Sequence, residues 1–258
     1  MYKMTLVRDS RISAIDHYKF FTRFSVNFIS GNNKPHDTHK YNLPQNVKIT
    51  NLKIKKPLLI DPISLIGSSA SNLSWTYFDK LEEQLEGSDI IGISDNYYFW
   101  NLQTIRYAKK NNIPVFTIIW CNIPNHISSW LPPYSYITRE VVEYSSLFIL
   151  RNNKALQFTD TLGIPRNKTR VIYKGIDLAR FTPQAKKSSE KIKILYVGRM
   201  EKSKGVMDLL EAFKTLFKKH SNIELIYAGT GSLENQVKIM SKNLPVKFLG
   251  FVEYFKLP

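Results

Sequence analysis

The sequence predicts an α/β protein built of two doubly wound units. Three observations carry this. Short apolar runs alternate with longer amphipathic segments over most of the chain, the pattern of parallel strands joined by crossover helices. A polar stretch with no apolar period interrupts the alternation, after which it starts afresh. The 258 residues, 43% of them hydrophobic, are enough for one large domain or two modest ones, since domains cluster around 100–200 residues.

In chain order, residues 4–7 fit a first strand and 16–28 a helix, whereas 32–46 are polar without a clear period. Residues 89–94 (Asp-Ile-Ile-Gly-Ile-Ser) fit a buried strand, 101–112 a helix and 113–119 (Ile-Pro-Val-Phe-Thr-Ile-Ile) the next strand. A helical stretch at 139–144 precedes a strand at 146–150; a short helix at 154–161 ends at Leu162-Gly163-Ile164-Pro165, and 169–173 form a strand. Residues 177–190, with Phe181-Thr-Pro183 followed by Gln-Ala-Lys-Lys-Ser-Ser, have the composition of a linker, so the expected domains are 1–185 and 186–258. The second begins with a strand at 193–197 and continues with a helix at 206–220, a strand at 223–227, a helix at 233–243 and a strand at 246–249. In its first helix Met207, Leu210, Phe213, Leu216 and Phe217 are expected to form one stripe that packs on a sheet.

The formal net charge is +16, from 37 Lys and Arg against 21 Asp and Glu. Residues 1–185 hold 23 basic and 14 acidic side chains and residues 186–258 hold 14 and 7, so the last part is the more densely charged. Such a field favours phosphates, nucleic acid and acidic lipid headgroups without choosing between them, and a solvated lysine-rich surface explains most of it. Cys121 is the single cysteine, which excludes an intramolecular disulfide or a Cys-cluster zinc site. No run approaches the roughly 18 apolar residues of a membrane span, and the first ten residues lack the apolar core of a secretory signal. A cytoplasmic protein is expected, with peripheral contact at the inner face of an anionic membrane as an option.

The strongest local feature is Tyr196-Val-Gly198-Arg199-Met-Glu-Lys-Ser-Lys204-Gly205, between a strand and a helix. There glycines such as Gly198 and Gly205 allow close backbone approach, the helix N-terminus presents unpaired N–H groups, and two cations can flank a diphosphate. The spacing is neither that of a Walker loop nor of a Gly-x-Gly-x-x-Gly fingerprint. A polar turn with incidental lysines is the alternative. Gly229-Thr-Gly231-Ser232 also follows a strand and precedes a helix, so Gly229 and Gly231 either line a nucleotide or serve only a tight turn. Gly175 and Asp177 fit a turn and a cap better than a ligand contact.

Ile194-Leu-Tyr-Val-Gly-Arg-Met, Lys204-Gly205, Leu209-Leu-Glu-Ala-Phe213, Tyr227-Ala-Gly-Thr-Gly231 and Phe248-Leu-Gly250 together resemble the donor domain of GT-B glycosyltransferases of family 4. Val171-Ile-Tyr-Lys-Gly175-Ile-Asp177 and Phe181-Thr-Pro183 resemble the stretch leading into that domain, and the match is dense from about residue 89 onward. The resemblance implies a GT-B-like fold of two Rossmann-like domains and transfer of a sugar from a nucleotide sugar to a glycan, lipid or other acceptor. It implies retention of configuration and no bound metal, in accord with the absence of an Asp-x-Asp motif. Arg199 and Lys204 would then neutralise the diphosphate as it leaves an oxocarbenium-like sugar, with the nucleotide sugar a co-substrate and no separate cofactor.

Departures from the family pattern concern the acceptor side and the chain end. Where many members carry a histidine, Trp120 stands here, within Trp120-Cys-Asn-Ile-Pro124-Asn-His126. His126 is a candidate base or acceptor contact, or an ordinary loop histidine. Asp16 and His17 are a second candidate pair, or a helix cap and an exposed neighbour. The glycine-rich loop common at this place in the family is missing: Asp9-Ser-Arg-Ile-Ser-Ala-Ile15 stands there. The family's pair of glutamates, seven residues apart, has no counterpart before Pro258, so the resemblance implies an incomplete second domain, resembling a C-terminally truncated member. The alternative to an active transferase is therefore a form that binds nucleoside diphosphate and needs a second chain to complete the donor domain. A basic nucleic-acid-binding protein is a third class, disfavoured because the 33 aromatics sit in core-like runs and no nucleic-acid motif occurs.

Overall fold

A computed structural model describes residues 1–8, 22–31, 45–55, 76–173, 175, 178, 181–182, 191–253 and 256–257. Two compact units divide the chain, Met1–Gly175 and Ile176–Pro258.

The first unit contains strands β1 (Tyr2–Arg8), β2 (Phe24–Gly31), β3 (Val47–Leu52), β4 (Ile54–Lys55) and β5 (Tyr77–Phe78), helix α1 (Leu81–Leu85), and strand β6 (Ile90–Ser94). Helix α2 (Phe99–Lys110), strand β7 (Val115–Ile119), a 3₁₀ turn (Ile127–Ser129), α3 (Tyr134–Tyr144), β8 (Leu147–Leu150), α4 (Ala155–Thr161) and β9 (Thr169–Val171) follow. Seven strands form one parallel sheet in the order β3-β2-β1-β6-β7-β8-β9, and β4 and β5 form a short antiparallel pair. The chain order of the strands reverses between β1 and β6. That is the topological switch point, where open α/β sheets hold their ligands at the carboxyl ends of the strands.

Alternation along β1 sends Val7 to one face and Met4 and Leu6 to the other. Val7, Ile29, Ile91 and Ile93 join a large cluster with Trp100, Ile105, Ile137, Val141 and Phe158 from the helices. Met4, Leu6, Val26, Phe28 and Val47 form a separate cluster. Each such fully buried side chain contributes roughly 1.5–3 kcal/mol. Stacked rings tie the β4–β5 pair to α2, with Phe78 5.1 Å from Trp100 and Tyr98 4.2 Å from the same indole. The Gln103 amide completes this attachment by accepting from the Phe78 N–H (3.0 Å) and donating to its carbonyl (3.2 Å).

The expected helix at 16–28 is corrected in its second half: Phe24–Gly31 is β2, paired in parallel with both β1 and β3. Residues 9–21 lie outside the described set. Phe24-Ser-Val-Asn-Phe-Ile is rich in β-branched and aromatic residues, and the two flanking strands outweigh its weak helical period. β3, the β4–β5 pair and α1 have no counterpart among the expected elements. The polar stretch 183–190 lies outside the described residues.

The second unit comprises β10 (Ile192–Val197), a 3₁₀ turn (Lys202–Lys204), α5 (Val206–Phe217), β11 (Ile223–Ala228), α6 (Glu234–Met240) and β12 (Val246–Gly250). Its three strands are parallel in the order β10-β11-β12. Ile194, Tyr196, Leu225, Tyr227, Val246 and Phe248 turn to one face and meet Val206, Leu210, Phe213 and Val237 of the two helices. The stripe on α5 runs through Val206, Leu210, Phe213 and Phe217; Leu216, expected on it, is exposed, because spacings of four, three and four follow the 3.6-residue turn and Leu216 falls beside them. On the opposite face Leu195, Val197 and Leu249 are 60%, 52% and 58% exposed. Among the described residues β10 pairs on one side, with β11, whereas β1 pairs on both. Amide hydrogen exchange is therefore expected to be faster in β10 than in β1, a comparison that mass spectrometry of peptic fragments can make. No helix among the described residues is long and apolar enough to cross a membrane.

Candidate functional site

In the second unit the segments singled out by sequence lie side by side at the carboxyl ends of β10 and β11. Backbone hydrogen bonds lace them together: Gly198 N–H donates to Ala228 O (3.0 Å), Met200 N–H to Thr230 O (2.9 Å) and Leu233 N–H to Met200 O (3.0 Å). Met200 is fully buried and anchors the first loop in the core. Glu201 fastens the second loop, accepting from Ser232 Oγ at 2.6 Å and Ser232 N at 3.3 Å. These hydrogen bonds, and to a lesser degree Arg199, hold the Glu201 carboxyl below the usual glutamate range.

Glycine is needed where the two loops touch. Gly229 has φ 145°, a region that L side chains rarely adopt, and a Cβ on it would stand inside the Gly198 carbonyl. A Cβ on Gly231 would meet Met200 O at 2.5 Å. The structure thus brings Gly198, Gly229 and Gly231 together at one place. Arg199 and Lys204 are exposed on the first loop. The Tyr196 hydroxyl, at the end of β10, donates to Arg199 O (2.7 Å) and fixes the backbone from which that guanidinium projects. Gly205, at φ 66°, turns the chain from the 3₁₀ turn into α5, whose N-terminus has no side-chain cap. Cations beside an uncapped helix N-terminus can receive an anion.

In the first unit, Trp120 directly follows β7, and His126 lies in the next loop. His126 is occupied locally: its Nδ1 accepts from Ser128 N (3.3 Å) and lies 2.8 Å from Ser128 Oγ, capping the 3₁₀ turn, while its ring packs 5.5 Å from Tyr97. Burial keeps it below the ordinary histidine pKa, favouring the neutral ring. Asp16 and His17 lie outside the described residues, as does Asp177; Gly175 is exposed.

Asp95, at the residue after β6, escaped the sequence reading. It is buried with φ 56°, and its Oδ1 accepts from the N–H groups of Trp120 (2.9 Å) and Cys121 (3.4 Å). Burial pushes its carboxyl up to about 6, against the two backbone donors and Arg8, which pull it down. Asn101 Nδ2 donates to Ser94 O (3.2 Å) and Asp95 O (3.0 Å), holding the turn from inside. Arg8 and Arg151 were likewise missed; their guanidiniums lie 5.3 and 5.1 Å from the centre of the Trp120 ring. The available signal was position: each is the last residue of a strand, or the first after one, on the edge that carries ligands.

Over 98% of its length the chain superposes on Anabaena HepE in complex with UDP and glucose, at TM-score 0.67 and 14% identity, covering 70% of that chain. Over 99% it superposes on UDP-N-acetylglucosamine 2-epimerase from Rickettsia bellii, at TM-score 0.56 and 17% identity, again covering 70% of that chain. The fold is therefore GT-B-like, α/β with Rossmann-like parallel sheets. Residues 179–258, which include both loops, match the family model described as Glycosyl transferases group 1. Glycogen synthase of Mycobacterium tuberculosis is 24% identical over 166 residues, an alignment spanning 59% of this chain and 40% of that enzyme.

Proposed function

We propose that the chain serves glycosyl transfer, binding a nucleotide sugar through the paired loops of its second unit and passing the sugar to a glycan, lipid or other acceptor. The observation that carries this is the packing of Gly229 on Gly198 and of Gly231 on Met200, which fixes the loop that exposes Arg199 and Lys204, inside the segment matched by the glycosyltransferase family model. HepE, with the same fold, was captured with UDP and glucose. In this reading the glycines let the two loops pack together, and the exposed Arg199 and Lys204 stabilise the charge that grows on the diphosphate as the glycosidic bond breaks. Two cations supply what a metal supplies elsewhere, and configuration at the sugar is retained. The basic surface supports peripheral contact with anionic membranes carrying lipid-linked acceptors.

Calorimetric titration with UDP tests the proposal. Arg199→Ala and Lys204→Ala are each expected to weaken binding about tenfold or more, since charge-assisted hydrogen bonds contribute roughly 1.5–3 kcal/mol. Lys218→Ala, beyond the far end of α5, should leave it unchanged. Equal affinities in all three variants would remove the diphosphate grip.

A further inference from the structure

We propose that Asp95 is an acceptor-binding residue, whose second carboxylate oxygen takes a hydrogen bond from a hydroxyl group of the sugar or other polyhydroxylated molecule to be glycosylated. The word acceptor rests on the glycosyltransferase reading; a hydroxyl-binding carboxylate on the first unit stands without it.

Asp95 is the first residue after β6, and β6 pairs with β1, where the chain order of the strands reverses. It therefore stands at the carboxyl end of a strand at the switch point, where open α/β sheets receive their ligands. The residue is 7% exposed, and its two carboxylate oxygens differ. Oδ1 accepts from the N–H groups of Trp120 (2.9 Å) and Cys121 (3.4 Å). Among the described residues Oδ2 has no hydrogen-bond partner, although a carboxylate oxygen offers two lone pairs. A desolvated acceptor without a donor is unfavourable, and a ligand that brings a donor removes that cost. Asn101 donates to the carbonyls of Ser94 and Asp95, so the carboxyl is held in position before any ligand arrives.

The local fold does not need a carboxylate here. An asparagine oxygen can accept from the same two N–H groups, tolerates φ 56° and carries no charge to desolvate. What the carboxylate adds is a second acceptor oxygen, where the amide would place an NH₂ donor. A neutral hydroxyl makes a short, charge-assisted bond to such an oxygen, and an acceptor of glycosyl transfer must carry hydroxyls.

Ionisation of Asp95 sets the pH range of this contact. Burial raises its pKa to about 6, against the two backbone donors and Arg8. The charged and titratable groups that face it are Arg8 of β1, Tyr97 on the same loop and Cys121 after β7. Burial pushes the Tyr97 and Cys121 pKa values up, so both stay neutral between pH 5 and 7 while Arg8 stays charged. His126, whose ring packs on Tyr97 and whose pKa burial lowers, is the other group that titrates near this range.

Saturation-transfer NMR of the full chain with the methyl α-pyranosides of glucose, galactose and mannose tests the assignment. At least one probe is expected to bind, about tenfold more tightly at pH 7 than at pH 5, because about a tenth of the Asp95 carboxyl is ionised at the lower value and about nine tenths at the higher. Asp95→Asn should bind that probe about tenfold more weakly at pH 7 and with the same affinity at both pH values. A urea midpoint no lower than that of the wild type shows that the variant is folded, and the wild-type pH profile needs no variant. Wild-type binding that ignores pH, full affinity of Asp95→Asn at pH 7, a pH dependence lost in His126→Gln but kept in Asp95→Asn, or binding of none of the three probes would overturn the subsite. UDP should bind Asp95→Asn as it binds the wild type. Failure of both proteins to bind UDP, with glycoside binding intact, would remove the proposed function alone.

Discussion

Gly229→Ala is expected to destabilise the second unit by roughly 2–6 kcal/mol and to abolish UDP binding. Two costs add. An L side chain at φ 145° is held in a sparsely populated backbone region, worth about 1–3 kcal/mol, and overpacking adds about 1–3 kcal/mol. The obstacle is backbone: the new methyl group would overlap the Gly198 carbonyl, its carbon 2.9 Å away, with no rotamer to yield. Relief by shifting the strand end is opposed by the hydrogen bond from Gly229 N–H to Gly250 O at 2.7 Å. Gly163→Ala is the control: φ is also positive, at 68°, but nothing lies within 4 Å of the added carbon, so about 1 kcal/mol is expected. Urea denaturation followed by circular dichroism separates the two outcomes. Equal small losses for both variants would mean that the paired loops are not in contact.

Asp95→Asn should make the protein more stable above neutrality. The folded carboxyl is raised from 3.8 to about 6, chiefly by burial, so between these values the folded state binds more protons than the unfolded chain. Stability must then fall as pH rises through this window and level off above it, by roughly 3 kcal/mol for two pH units. Asparagine can keep the two hydrogen bonds from Trp120 and Cys121 and tolerates φ 56°, but carries no charge to desolvate. Glu201 and Asp79 are held below their ordinary values, so their contributions appear in the opposite sense and are lost at lower pH. The difference between wild type and variant isolates Asp95. Urea midpoints at pH 4.5, 6 and 8 that run in parallel for the two proteins would sink the prediction.

From the sequence alone the α/β class, the strands β6 to β12 and the helices between them were legible, because parallel strands buried by crossover helices appear as uninterrupted apolar runs bounded by turns. Arg199, Lys204 and the four glycines were legible for a related reason: they fall within 34 consecutive residues, and their strand–loop–helix setting is local. β2 was not, since its residues become a strand by lying between β1 and β3. The Trp120 cluster was not either. Arg8 and Arg151 are 143 positions apart, and only the sheet order places both at one indole. Burial of Asp95 belongs to the same class, because desolvation and its hydrogen bonds from Trp120 and Cys121 are properties of neighbours in space, set by strand order and not by the residues adjacent in the chain.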